Sequence, residues 1–158
     1  MGVIQYTFRS IVLECTTTIT ITMPEYNKTM KGRSLDEIYP EGKKWPTIYL
    51  LHGGGGCSSD WVKNTQVDML GTEKDFMTVS IDAMESFYSD MVHGRKYFTY
   101  LTEEVMRIVQ NRFNSSPKRE DNFIIGFSMG AHGSMKVALR CPEKICGSMV
   151  DVRSQGSG

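Results

Sequence analysis

Three short apolar runs with little polar alternation leave this chain few folds to choose from. Thr47-Ile48-Tyr49-Leu50-Leu51 ends in His52 and four glycines, Phe76-Met77-Thr78-Val79-Ser80-Ile81 ends at Asp82, and Asn122-Phe123-Ile124-Ile125 ends at Gly126. A strand with one wet face alternates polar and apolar residues, whereas a run without alternation suits a strand covered on both faces, as in a parallel sheet. The stretch from Thr16 to Met23 behaves differently. Its Thr16, Thr18, Thr20 and Thr22 alternate with Thr17, Ile19, Ile21 and Met23, which predicts a half-buried strand ended by Pro24. Another strand or two is expected between Val3 and Leu13, so the chain opens as antiparallel β structure. Residues 25–45 are polar, carry Gly32, Pro40 and Gly42, and read as a surface loop.

Helical spacing recurs twice. Leu101, Val105, Ile108, Val109 and Phe113 fall on one side of a segment from Tyr100 to Phe113, with Glu103, Glu104, Arg107 and Gln110 on the others. Gly130 to Arg140 reads as a second helix with Pro142 just past its end. A last short strand is expected from Gly147 to Val152. Strands alternating with helices predict an α/β fold with a mostly parallel sheet and antiparallel N-terminal strands. Residues 1–152 are expected to form one partial domain and residues 153–158 a tail.

Composition removes several function classes. Eighteen basic residues cancel eighteen acidic ones over 158 residues, so no general attraction to nucleic acid or an anionic membrane is expected. No apolar run approaches the roughly 20 residues of a membrane span. The N-terminus has no basic region followed by an apolar stretch, and a cytoplasmic protein is expected. The four cysteines, Cys15, Cys57, Cys141 and Cys146, form no Cys-x-x-Cys pair and read as buried free thiols. No His, Asp and Glu cluster has metal-ligand spacing, and neither a metal nor a cofactor is expected.

The chemistry sits in two glycine-bearing turns. Gly126-Phe127-Ser128-Met129-Gly130 follows a strand and opens a helix. A serine hydroxyl is a weak nucleophile and must be held where a base can reach it. A sharp strand-to-helix turn does this, glycines give the neighbouring backbone room, and the helix N-terminus suits a developing oxyanion. The competing reading is a serine that merely caps the helix. His52-Gly53-Gly54-Gly55-Gly56, after the first apolar run, lets a main-chain N–H approach an acyl oxygen from the other side. A phosphate-cradling loop would want a Gly-Lys-Ser/Thr ending, and Cys57-Ser58-Ser59 stands there instead.

Tyr49 to Gly54 with Asp60-Trp61, then Asp82 and Ser86-Phe87-Tyr88-Ser89-Asp90, then Lys118-Arg119 leading into Ile125 to Gly133, resemble the esterase D family of α/β-hydrolases. That family includes S-formylglutathione hydrolases and tributyrin-type esterases, and the resemblance runs from about residue 6 to about residue 150. It implies an α/β-hydrolase fold, a small acyl ester or thioester substrate, and a tendency to homo-oligomers. It further implies Ser128 as nucleophile and the backbone N–H groups of Met129 and Gly54 as the oxyanion hole. Trp61, Phe87 and Tyr88 would lie near the acyl pocket. Ala131 stands where the family usually has glycine. In this fold the triad runs Ser, then Asp or Glu, then His. After Ser128 the chain offers only His132, one helical turn on, so the triad acid and base are expected to be missing and the fold truncated before its last strands. His52 and His93 read as structural or solvated, and Asp82 as a loop-shaping carboxylate. The chain alone is expected to be inactive or weakly active. Acyl transfer by the same site, or a non-catalytic truncated binding domain, are the alternatives.

Overall fold

In the computed structural model, which describes residues 2–151, six strands form one sheet in the order β1-β2-β4-β3-β5-β6. They are β1 (Gly2–Arg9), β2 (Thr16–Met23), β3 (Thr47–Leu51), β4 (Met77–Ile81), β5 (Asn122–Phe127) and β6 (Gly147–Asp151). The β1–β2 hairpin and the β2–β4 pair are antiparallel, while β4, β3, β5 and β6 run parallel. The three apolar runs are thus the central strands, with antiparallel structure added on the N-terminal side. The expected tail, with Val152 before it, lies outside the described residues.

Register decides where the two glycine turns meet. Leu50 pairs with Ile125 and Leu51 with Gly126, so β3 and β5 end side by side. Leu50 also pairs with Ser80, which brings the loop after β4 to the same end. Three loops therefore leave one edge of the sheet together, at its C-terminal end, where ligands bind in open parallel sheets.

The helices are α1 (Leu35–Ile38), α2 (Asp60–Asn64), α3 (Val67–Lys74), α4 (Tyr97–Thr99), α5 (Met106–Arg112) and α6 (Met129–Arg140). Between α4 and α5 the helix continues without a break through a π turn over Tyr100–Val105, whose following residue, Met106, donates its N–H to the Leu101 carbonyl. The wider turn carries Glu104 toward the tip of the β1–β2 hairpin. Its carboxylate accepts the Ser10 hydroxyl, the Ile11 N–H at 2.7 Å and the Val12 N–H at 3.3 Å. Tyr49, Leu51, Val79, Ile81 and Ile124 from the sheet pack with Tyr88, Leu101, Val105, Val109 and Val137 to form the core.

Two expectations need correction, and one segment holds helices that no expectation covered. Strand β2 is not half-buried, because Thr20 and Thr22 are as enclosed as Ile19 and Ile21. It lies inside the sheet with α3 packed on it, and the Thr22 and Thr78 hydroxyls satisfy each other at 2.7 Å. The segment between β3 and β4 holds two helices that periodicity did not mark. Helix α3 buries Asp68, Gly71 and Thr72 rather than an apolar stripe, and a Cβ on Gly71 would stand 2.8 Å from the Phe76 carbonyl oxygen. All four cysteines are free, but only Cys141 is buried, and Cys146 is exposed.

Candidate active site

Ser128 is the N-cap of α6 and has φ 52 and ψ −114. That left-handed backbone costs a residue with a Cβ about 1–3 kcal/mol unless its surroundings enforce it. Two glycines supply the enforcement. A Cβ on Gly126 would fall 1.9 Å from the Gly130 carbonyl oxygen, and one on Gly130 would fall 2.2 Å from that of Leu51. With both absent, α6 starts hard against β3 and β5, and the chain between them must bend sharply at Ser128. The residue is exposed, and its side chain makes no capping hydrogen bond. The capping reading of this serine therefore has no support in the geometry.

The carbonyl of Ser128 is engaged inside the helix, accepting the N–H of Ala131 at 2.9 Å and of His132 at 3.3 Å. Among the described residues, the N–H groups of Met129 and Gly54 donate to nothing. The glycine loop also packs on the serine turn. A Cβ on Gly53 would lie 3.0 Å from the Phe127 ring and 3.4 Å from the Ser128 Cβ.

Four glycines in a row gain much entropy when free, so this loop needs outside holds. His52 is buried and supplies two. Its Nε2 accepts the Ala83 N–H at 3.1 Å, so Nδ1 carries the hydrogen and donates to the Gly53 carbonyl at 2.6 Å. The Gly53 carbonyl and the Gly54 N–H belong to one planar peptide unit and point opposite ways. Drawing the carbonyl toward His52 turns the Gly54 N–H outward. Asp82 accepts the Ser58 N–H at 2.6 Å, which makes it the loop-shaping carboxylate expected from sequence. Asp60 accepts the Cys57 N–H at 3.0 Å. Burial alone would raise the Asp60 carboxyl, but the bonds from Cys57, with His52 and Lys63 nearby, hold it below its ordinary range. Glu85, which sequence reasoning missed, accepts the Gly55 N–H at 2.5 Å.

The aromatic residues expected near the acyl pocket divide. Trp61 is half-buried and lines a cavity of about 640 Å³ with Gly53, Gly54, Asn64 and Phe127. Phe87 is 53% exposed and sets its ring edge-on to His132, with centroids 5.9 Å apart. Tyr88 is a correction. It is fully buried, its hydroxyl donates to the His52 carbonyl at 3.0 Å, and its ring occupies the space a side chain at Gly133 would fill. It is a strut beneath the site and offers no face to a ligand. Burial pushes its phenol well above the usual range. Met84, Phe87 and Tyr88 all have positive φ, so strained backbone gathers in the loop beside Ser128.

His52 has both ring nitrogens committed, and His93 is exposed in the loop after β4. Among the described residues no histidine is hydrogen-bonded to Ser128. Nor do they contain a group of three or more His, Cys, Asp or Glu placed to hold a metal ion, or a helix long and apolar enough to cross a membrane.

A family model described as "Putative esterase" matches residues 12–150. An acetyl esterase of Caldicellulosiruptor saccharolyticus is 28% identical over 148 residues, which is 93% of this chain and 54% of that protein. Among solved structures, the fluorophosphonate-binding serine hydrolase F of Staphylococcus aureus superposes with a TM-score of 0.80 at 26% identity, covering 93% of this chain and 55% of that one. An S-formylglutathione hydrolase of the same organism gives 0.74 at 27%, covering 91% and 54%. The chain spans about half the length of the relatives it matches.

Proposed function

Because the chain belongs to this esterase family and carries the α/β-hydrolase fold, we propose that Ser128 is the nucleophile of a small-molecule carboxylic ester or thioester hydrolase. The Ser128 oxygen attacks the acyl carbonyl carbon, and the carbonyl π electrons move onto oxygen. The N–H groups of Met129 and Gly54, which have no partner among the described residues, stabilise that charge from two sides. Collapse of the tetrahedral species expels the alcohol or thiol and leaves an acyl-serine. Water then attacks the same carbonyl, the bond to the serine oxygen breaks, the carboxylic acid departs and the Ser128 hydroxyl is restored. The cavity beside Trp61 takes the acyl group.

The proton on the Ser128 hydroxyl needs a base, which the described histidines do not supply. We assign the base and its orienting carboxylate to the part of the relatives' length that this chain does not span. Without them the hydroxyl stays protonated near neutral pH, and only the effect of binding and the oxyanion donors remains. We accordingly expect slow turnover of p-nitrophenyl acetate by this chain.

One observation carries the reading: a serine held in a backbone conformation its own side chain disfavours, exposed, and free of any capping bond. Reaction with a fluorophosphonate tests it. The expected result is one slowly formed covalent adduct, mapped to Ser128 by mass spectrometry and absent from that position in Ser128→Ala. An adduct elsewhere, or a substituted chain that labels as before, would remove Ser128 from the mechanism.

A further inference from the structure

We propose that Glu85 is a positioning residue for the oxyanion donor on Gly54. The proposal rests on the assignment of the Gly54 N–H above. Each end of the glycine loop has its own hold. His52 fixes the Gly53 carbonyl, the Gly56 N–H returns to that same carbonyl at 3.2 Å, and Asp60 and Asp82 take the Cys57 and Ser58 N–H groups. Between these holds lies the peptide unit joining Gly54 to Gly55. Among the described residues its one hydrogen bond runs from the Gly55 N–H to Glu85 Oε1, at 2.5 Å.

The Gly54 N–H lies in the peptide plane before its Cα, and that unit can turn only as far as the plane after the Cα allows. His52 sets the plane before it, and Glu85 sets the plane after it. The second oxygen of Glu85 also lies 3.1 Å from the point a Gly54 Cβ would occupy, so the carboxylate stands over that residue as well as accepting the next N–H. Gly55 has φ +71, a conformation open to many others in a free glycine run, so a fixed partner matters there. Glu85 comes from the loop after β4, next to Met84, itself at φ 46. The strained loop therefore braces the glycine loop. An oxyanion donor held in place before reaction needs no reorganisation when charge develops.

The role needs only an acceptor oxygen at this position, and a negative charge near a developing oxyanion works against it. Substitution therefore separates the two properties. Glu85→Ala removes the acceptor, and Glu85→Gln keeps it while removing the charge. The experiment compares three readouts across wild type and both variants: the fluorophosphonate labelling rate of Ser128, amide hydrogen exchange in a peptide spanning residues 53–57, and the thermal unfolding midpoint. The expected result for Glu85→Ala is labelling about tenfold slower, faster exchange in that peptide and an unchanged midpoint. Glu85→Gln should label at the wild-type rate or faster and exchange as wild type does. The proposal is overturned if alanine leaves labelling or exchange unaltered, or if glutamine behaves as alanine does. Were wild type labelled at a residue other than Ser128, the assignment of Ser128 would fall, while the exchange comparison would still decide whether Glu85 orders this loop.

Discussion

Gly130 shows what a single missing methyl permits. A Cβ there would stand 2.2 Å from the Leu51 carbonyl oxygen, a backbone atom that cannot move aside as a side-chain end could. Gly130→Ala must therefore push α6 off the sheet. We expect a loss of about 3 kcal/mol or more in the urea unfolding free energy, or no soluble protein. Gly147→Ala is the control, since its nearest neighbour is 3.5 Å away, and it should stay within about 0.5 kcal/mol of wild type. Ser128 and its flanking glycines were legible in the sequence because the bend's requirements are local and fall on five consecutive residues. Tyr88 and Glu85 were not. An aromatic beside exposed Phe87 looks like another surface contact, and only the fold reveals that it supports His52. Glu85 meets its partner 30 positions away, across two loops that adjoin only through the pairing of β3 with β4.

At the scale of elements, the wide turn in the helix between α4 and α5 fastens the hairpin. Three donors at the β1–β2 tip converge on Glu104, and the Leu13 N–H joins the cluster through the Ser10 hydroxyl at 2.9 Å. Glu104→Ala would leave those donors without this acceptor. The expected cost is about 1–3 kcal/mol in unfolding free energy, accompanied by faster amide exchange at Ile11 and Val12. Equal exchange in the variant would show that the tip is held by its own turn. Apolar spacing announced a helix over Tyr100 to Phe113, but the inserted residue that widens the turn leaves almost no periodic trace. Helix α3 was hidden for the opposite reason, because its buried face is made of Asp68, Gly71 and Thr72. Strand β3 was plain because burial on both faces leaves a nearly unbroken apolar run, whereas β4 alternates Met77, Val79 and Ile81 with Thr78 and Ser80 and is buried on both faces all the same.

At the scale of the whole molecule, the buried core phenols predict sensitivity to alkali. Burial raises Tyr49, Tyr88 and Tyr100 well above their ordinary value of 10.0. A raised folded-state value means that the native state keeps a proton which the unfolded chain releases. That stability is fully present below about pH 10 and drains away as pH rises further. The urea midpoint should hold between about pH 8 and 9.5 and fall steeply by about pH 11, with tyrosinate absorbance appearing together with unfolding. Tyrosinate that formed before the fold was lost would contradict the enclosed placement of these rings.

The strand order has a consequence for synthesis. Strand β3 lies between β4 and β5, and the register joins Thr47 to Met77 and to Asn122, so both neighbours of β3 are translated after it. The second arrives roughly 75 residues later. At about 5–20 residues per second, the greasy Tyr49-Leu50-Leu51 stretch spends on the order of 4–15 seconds outside the ribosome with one flank bare. A nascent chain of this design is expected to be most open to aggregation during that interval, and the hazard should ease once residues 122–126 have left the exit tunnel.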